Sequence, residues 1–444
     1  MIAEKGYCGT SGAAASAGVG VWYVPPEPEL REAAMASREQ LGGYLADRGW
    51  MERVLDETYA QVNRIAEWGY PFPGDGQGGQ ARSTLQGPEL MRRLRRQLVR
   101  ARVRILDHSP ALELLRGADG TLAGATGARS QRGAISPVFS SVTKTAIYHH
   151  ATFSYADGTP IPGAGSQRGR SAIARTLLTR PVFCVIDGWP EEEHTALRRA
   201  QPNFFLSFDR MGIDPFRERF PVTLRLEGTI RGTGGLRVTG GDCATTVPGL
   251  FAAGDAATRE LICGGFTGGG SHNSAWALSS GRWAGLGAAA YARKARRSGH
   301  HAKAGGAGGA GLRPTGAADL GLDWREVVAT VQEEVRPYDR NYFRDEETLR
   351  GSRARLEDLW QRVSEGLESG RDPVRAREAA AMCAHARWMY AAAQERTETR
   401  GMHKRTDHPE PDPAQQRRLH VGGLQELWTA GDGRPRVSDA AVPA

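Results

Sequence analysis

Residues 247–281 read VPGLFAAGDAATRELICGGFTGGGSHNSAWALSSG, and the reading of this stretch decides the fold. A short apolar run, Val247 to Ala253, ends in Gly254-Asp255. A glycine-dense loop follows, and NSAWALSSGRWAGLGAAAYA from Asn273 onward has the pattern of a helix. Strand, glycine loop and helix N-terminus together have a physical use. Glycines let backbone N–H groups approach a ligand, and the helix dipole favours an anion such as a pyrophosphate. Asp255, at the carboxyl end of the apolar run, is placed to accept hydrogen bonds from sugar-like hydroxyls, and ligands of open α/β sheets bind at such strand ends. A tight strand–helix turn with a capping aspartate explains AAGD by itself, but it needs fewer glycines than GGFTGGGSHNS supplies.

The segments around this stretch set the organisation. A chain of 444 residues is expected to hold two to three domains. The N-terminus begins almost inside a strand and runs into the small-residue loop GTSGAAASAGVGVW. Residues 36–68 look helical, YPFPGDGQGGQARS is a loop, and a basic helix is expected over 88–101. VRILDHSPALELL then reads as a strand, with a hairpin signal at ADGTLAGATGA. The middle of the chain mixes strand-like runs, PVFCVIDG and VTLRLEGTI, with glycine- and proline-rich loops, as in an α+β domain. Residues 297–322 are a low-complexity linker, and 323–398 carry long helical patterns. The expected class is α/β. A Rossmann-like domain spans 1–135 and 236–296, an α+β capping domain is inserted at 136–235, the linker covers 297–322 and a helical domain covers 323–444.

Composition excludes several functions. Hydrophobic residues make up 40% and charged residues 24%, and no window approaches the roughly 18 consecutive apolar residues of a spanning helix. No secretory pattern opens the sequence, so the cytoplasm is expected. Cys8, Cys184, Cys243, Cys263 and Cys383 are scattered without a CxxC pair, which argues against a disulfide framework, a zinc site or an iron–sulfur cluster. The net charge of +8 is no nucleic-acid signature. Its densest run, LMRRLRRQLVRARVR, puts Leu90, Leu94 and Leu98 on one stripe with arginines on the other faces, which is an amphipathic surface helix. His149 and His150 have no metal-ligand partners in sequence.

Four stretches, in order, resemble the succinate dehydrogenase and fumarate reductase flavoprotein family, which includes L-aspartate oxidase and the adenylylsulfate reductase flavoprotein subunit. IAEKGYCGTSGAAASAGVG is similar to that family's second strand and the small-residue loop beside the flavin. TIRGTGGLRV resembles its Gly-Gly segment, TTVPGLFAAGDAATRE…GGGSHNSAWALSSGRWAG its second FAD-binding segment, and ERTETRGMHKRTDHPEPD its C-terminal motif. The resemblance implies a FAD-dependent oxidoreductase with non-covalent FAD, because the family's attachment histidine has no counterpart in GYCGTSGAAA. The cofactor contacts it implies fall on Glu4, Lys5, Thr10, Ser11 and Gly12, on Gly234 and Gly235, on Gly254 and Asp255, and on Gly269, Gly270, Asn273 and Ser274.

The resemblance also marks gaps. The family's GxGxxG strand belongs about 30 residues before Glu4, outside the sequence as read from Met1. The strings Gly74-Gly76-Gly79 and Gly306-Gly308-Gly311 follow no strand and are chance matches. A strand ending in Ala-Thr-Gly-Gly, expected after GATGARSQRG, is replaced by QRGAISPVFSSVTKT. Half of a FAD site is therefore expected, with neighbouring strands short of a ladder partner. A truncated, non-redox homologue that binds FAD weakly is the alternative. On the substrate side the family's histidine position falls at Ile230 and its arginine near Gly269, so fumarate, succinate and aspartate are not implied. Arg231, Arg225 and His272 are the local replacements, and Arg400 and His403 match the C-terminal motif. A small-molecule substrate is expected, with a separate iron–sulfur or ferredoxin-like subunit taking the electrons.

Overall fold

The computed structural model describes residues 1–16, 18–74, 78–117, 119–128, 145–166, 169–223, 233–266, 270–297, 321–367 and 372–432. The fold is α/β with an antiparallel insert and a C-terminal helical domain. Its nucleus near the glycine loop is a helix pair. Arg48–Glu67 begins where the Asp47 carboxylate accepts from the Trp50 N–H, and it buries Met51, Val54, Leu55, Thr58, Val62 and Ile65 at helical spacing. That stripe packs against the long helix Ser271–Arg297, where Thr58 and Ser279 share a buried hydroxyl contact of 3.3 Å. Trp22, Met35, Ala252, Ile262 and Trp276 complete the core, so segments distant in the chain share one interior.

Three sequence expectations are corrected here. The helix expected over 36–68 is two helices, Pro28–Leu41 and Arg48–Glu67. Between them Gly43 is left-handed (φ 65°), and a Cβ at Gly42 would sit 2.3 Å from the Cys263 carbonyl oxygen. Distant chain presses on the break. Second, the apolar run before Asp255 is not a ladder strand: Phe251 makes one isolated bridge with Ala244, and Gly254–Ala256 is a 3₁₀ turn. Third, the small-residue loop after Gly12 holds a short helix, Ala13–Ser16, and a strand, Gly18–Gly20, antiparallel to Thr84–Gln86.

Ile2–Ala3 pairs in parallel with Ile105–Leu106, and among the described residues no strand lies on its other edge. The expected basic helix is Gly87–Arg100, and the expected hairpin pairs Ala111–Arg116 with Leu122–Gly127. The insert is a three-stranded antiparallel sheet of Thr152–Ser154, Val182–Val185 and Phe220–Val222 over an aromatic core that includes Phe153, Phe205, Phe208 and Phe216. Most of VTLRLEGTI lies outside the described residues, as does QRGAISPVFSSVTKT up to Lys144.

The C-terminal helices Trp324–Val335, Glu346–Gly366 and Pro373–Glu395 are each opened by an aspartate cap, at Asp323, Asp345 and Asp372. They close over Leu356, Trp360, Val363, Cys383 and Tyr390. The domain is not helical throughout: Leu419–Gly422 pairs antiparallel with Trp428–Gly431.

Candidate functional site

The Gly-Gly segment and the Gly-Asp segment lie side by side. Leu236 N–H donates to Ala256 O (2.8 Å), Thr258 N–H to Leu236 O (3.0 Å) and Arg259 N–H to Thr233 O (2.7 Å). Gly235 permits this: a Cβ there would stand 2.6 Å from the Ala257 carbonyl carbon. Gly234, one residue earlier, has nothing among the described residues within 4 Å of its Cβ position. The two glycines thus differ in kind, one packed on chain and one facing open space.

Gly254 is left-handed (φ 57°) and clamped to the long helix. Its N–H donates to Ser280 Oγ (2.9 Å), and its carbonyl accepts from Trp276 Nε1 (3.1 Å). Asp255 is half exposed, and its carboxylate pairs with the fully buried guanidinium of Arg259. This corrects the sequence expectation. Asp255 first neutralises a buried charge, and only its solvent edge is left for a hydroxyl.

At the N-terminal loop, Glu4 Oε1 accepts from Gly6 N–H (3.1 Å) and Ser11 Oγ (3.0 Å), while Thr10 N–H donates to Tyr7 O (3.0 Å). Gly12 (φ 85°) faces open space. Lys5 does not join this group, because its ammonium pairs with Glu378 of the last long helix. Gly270 (φ 100°) precedes the long helix, and Asn273 N–H donates to its carbonyl (3.1 Å). Asn273 Oδ1 is buried with no hydrogen-bond partner, and Ser274 beside it is half-buried. Gly269 and Arg231, with Arg225 and Ile230, lie outside the described residues.

The remaining catalytic expectations meet a different environment. His272 is fully buried, with its ring centroid 5.9 Å from that of Phe266. Arg400 is saturated: Nε and Nη2 hold the two oxygens of buried Glu398 (2.7 and 2.8 Å), Nη1 donates to Gly43 O and Nη2 also to Asp412 O. His403 lies between Arg344, which donates to Nδ1 (2.9 Å), and the Arg396 carbonyl, which accepts from Nε2 (3.0 Å). Burial, with the facing Arg344 charge, pushes its pKa down to about 3. A permanently neutral, doubly bonded imidazole and a fully paired guanidinium are structural, so Arg400 and His403 do not present free groups to a substrate.

Sequence reading missed Glu260, one turn beyond Asp255. Burial raises its carboxyl to about 7 against the opposing pull of Arg418 and Arg396, and Thr258 Oγ1 approaches Oε2 at 3.4 Å. It also missed Arg38, which sits on the helix Pro28–Leu41 with its Nε buried and unpartnered. Neither lies in a recognisable motif, and burial by distant chain has no local sequence signal.

Several features here would admit a ligand to the backbone. Gly12 and Gly234 leave open space where a Cβ would otherwise stand, Asn273 offers an orphaned acceptor, and a 27-residue helix begins at Ser271 just past the glycine loop. Among the described residues no cluster of His, Cys, Asp or Glu could hold a metal, and no helix is long and apolar enough to cross a membrane.

Known proteins share the fold. Residues 328–424 match the family model described as fumarate reductase flavoprotein C-term. The fold is similar to that of E. coli quinol fumarate reductase FrdA (TM-score 0.69, 15% identity, 97% of this chain and 91% of that one). It is similar also to a quinol-fumarate reductase with menaquinol molecules (0.74, 16%, 99% and 94%). A third similar structure is adenylylsulfate reductase from Archaeoglobus fulgidus (0.67, 13%, 98% and 91%). No curated protein matches the sequence.

Proposed function

Residues 328–424 belong to the fumarate reductase flavoprotein C-terminal family and the chain as a whole has the fold of these flavoproteins, and on that premise we propose that it is a FAD-dependent oxidoreductase acting on a small organic substrate. When bound, FAD supplies hydride-transfer chemistry. Glu4 and Ser11 would hold the ribose, Gly12, Gly234 and Gly270 would admit the cofactor to the backbone, and Asn273 Oδ1 would accept a ligand N–H. The unpartnered Asn273 oxygen in the first turn of the long helix is the observation that carries the reading, since a buried acceptor left unpaired costs about 1–3 kcal/mol. A separate iron–sulfur or ferredoxin-like subunit would take the electrons, and the cytoplasm is the proposed location.

The test is a FAD titration of the 444-residue chain, followed by absorbance and flavin fluorescence, on wild type and Asn273→Ala. Stoichiometric yellow protein, weakened by the substitution, supports the reading. The alternative reading is a homologue that holds FAD weakly or not at all. Protein that purifies colourless and stays so at saturating FAD would establish that reading instead.

A further inference from the structure

The basic helix Gly87–Arg100 divides its arginines into two sets. Arg92 and Arg93 pair with Glu89, and Arg95 pairs with Asp107. Arg96 and Arg100 are exposed, as are Arg102 and Arg104 in the turn toward Ile105–Leu106, and none of these four has an ion pair among the described residues. Val99, between Arg96 and Arg100, is 59% exposed. Arg96, Val99 and Arg100 stand at i, i+3 and i+4 and share one face, opposite the Leu90 and Leu94 that meet the core. Two local costs come with this set. Like charges four residues apart on a helix repel. Arg102 is left-handed (φ 55°) and closes the helix where glycine is the usual residue, with its N–H donating to Val99 O and the Val103 N–H to Leu98 O (3.0 Å each). The helix dipole welcomes a cation at this end, but its effect fades within a turn and does not call for four.

We propose that Arg96, Val99, Arg100, Arg102 and Arg104 form a face that binds an anionic lipid surface. Headgroup phosphates attract each exposed arginine and, set between them, relieve their mutual repulsion. Val99 decides between classes of polyanion. A lipid interface buries an apolar side chain set among basic ones, whereas a nucleic-acid backbone leaves it in water. An acidic electron-transfer partner is ill placed here, because it has to come close to the cofactor. Glu4 follows the carboxyl end of Ile2–Ala3, while Arg104 precedes the amino end of its parallel neighbour Ile105–Leu106. The basic face therefore lies at the opposite end of the strand pair from the candidate cofactor loop. A contact of this kind is peripheral and salt-sensitive. The inference does not rest on the flavin reading.

The test sediments the full chain with vesicles of phosphatidylcholine containing one third phosphatidylglycerol, and with vesicles of phosphatidylcholine alone. Wild type should bind the anionic vesicles at low salt, ignore the neutral ones and come off at about 0.5 M salt. Arg96→Gln and Arg100→Gln should each weaken binding roughly fivefold, and the double variant about 25-fold. Arg102→Gly is the sharper variant. It should bind roughly fivefold more weakly and yet melt at or above wild type, since glycine suits the left-handed turn. Val99→Ser should weaken vesicle binding while retention on heparin, a polyanion with no apolar phase, stays the same. No binding to the anionic vesicles at low salt, equal binding to the neutral ones, or binding that survives the arginine substitutions overturns the proposal. Capture of duplex DNA or of an acidic protein, without capture of anionic vesicles, overturns it as well.

Discussion

The glycine site around Gly234, Gly254 and Asn273 and the C-terminal motif from Arg396 to Asp412 look equally functional as sequence. In the structure they are opposites. The glycine site leaves space unfilled and one acceptor unpaired. The C-terminal motif spends its donors on itself: Arg400 binds Glu398, Gly43 and Asp412, Arg405 binds Asp407 and Glu346, and Arg396 binds Glu398 and the Gln415 and Arg417 carbonyls. A family motif can persist because it touches a ligand or because it holds the parts that do. Saturation of the polar groups distinguishes the two cases.

The strongest way to break the contrast is Arg400→Ala. If the motif is structural, the substitution strips buried Glu398 of its bidentate partner, leaving it only Arg396 and the Asp412 N–H, and costs about 3 kcal/mol. Thermal or urea unfolding reads this directly. A variant as stable as wild type but deficient in turnover would return Arg400 to the substrate side.

Gly235→Ala should cost about 1–3 kcal/mol, since its Cβ must displace the Ala257–Thr258 backbone. The same measurement on Gly234→Ala should move stability by less than about 0.5 kcal/mol, while FAD affinity falls. Equal stability losses at both positions would erase the distinction between packed and open glycine.

A smaller effect is a pH profile. His403 is held neutral with its pKa near 3, well below its usual 6.5, so the unfolded chain binds more protons between those values and stability rises with pH across that window. Glu260, raised from 4.5 to about 7, works the other way: its contribution is full below 4.5 and is lost as pH climbs to 7. The slopes oppose each other between 4.5 and 6.5 and act singly outside it. His403→Gln should therefore flatten the fall in melting temperature below pH 4.5, and Glu260→Gln the fall between 6.5 and 7. Unchanged profiles would place both groups in more solvated surroundings than the structure gives them.

Local rules reached far into this chain. Leu90, Leu94 and Leu98 gave away the basic helix, and turn residues gave away the hairpin at 111–127. The failures share a cause. The break at Gly42–Gly43 is pressed on by Cys263 and Arg400, and Asp255 is claimed by an arginine whose burial depends on other segments. Even Lys5, beside Glu4, is drawn to Glu378. Apart from the Asp255–Arg259 pair, four residues apart, these misses were decided by partners remote in sequence, beyond the reach of periodicity and spacing.

One of those remote meetings bears on how the molecule is made. Gly265 N–H donates to Gly42 O and Met402 N–H to Gly265 O, and a Cβ at Gly401 would fall 2.2 Å from the Gly265 oxygen. Three stretches from the beginning, middle and end of the chain close on each other there without room for a methyl group. Such a contact has very high sequence separation and forms slowly, after the entropy of long loops has been lost. During synthesis the N-terminal helices and the glycine loop would leave the ribosome long before Gly401. Assembly of this corner thus waits until Gly401 and Met402 have been made, and a ribosome stalled just short of them would hold a nascent chain whose glycine loop is still unanchored.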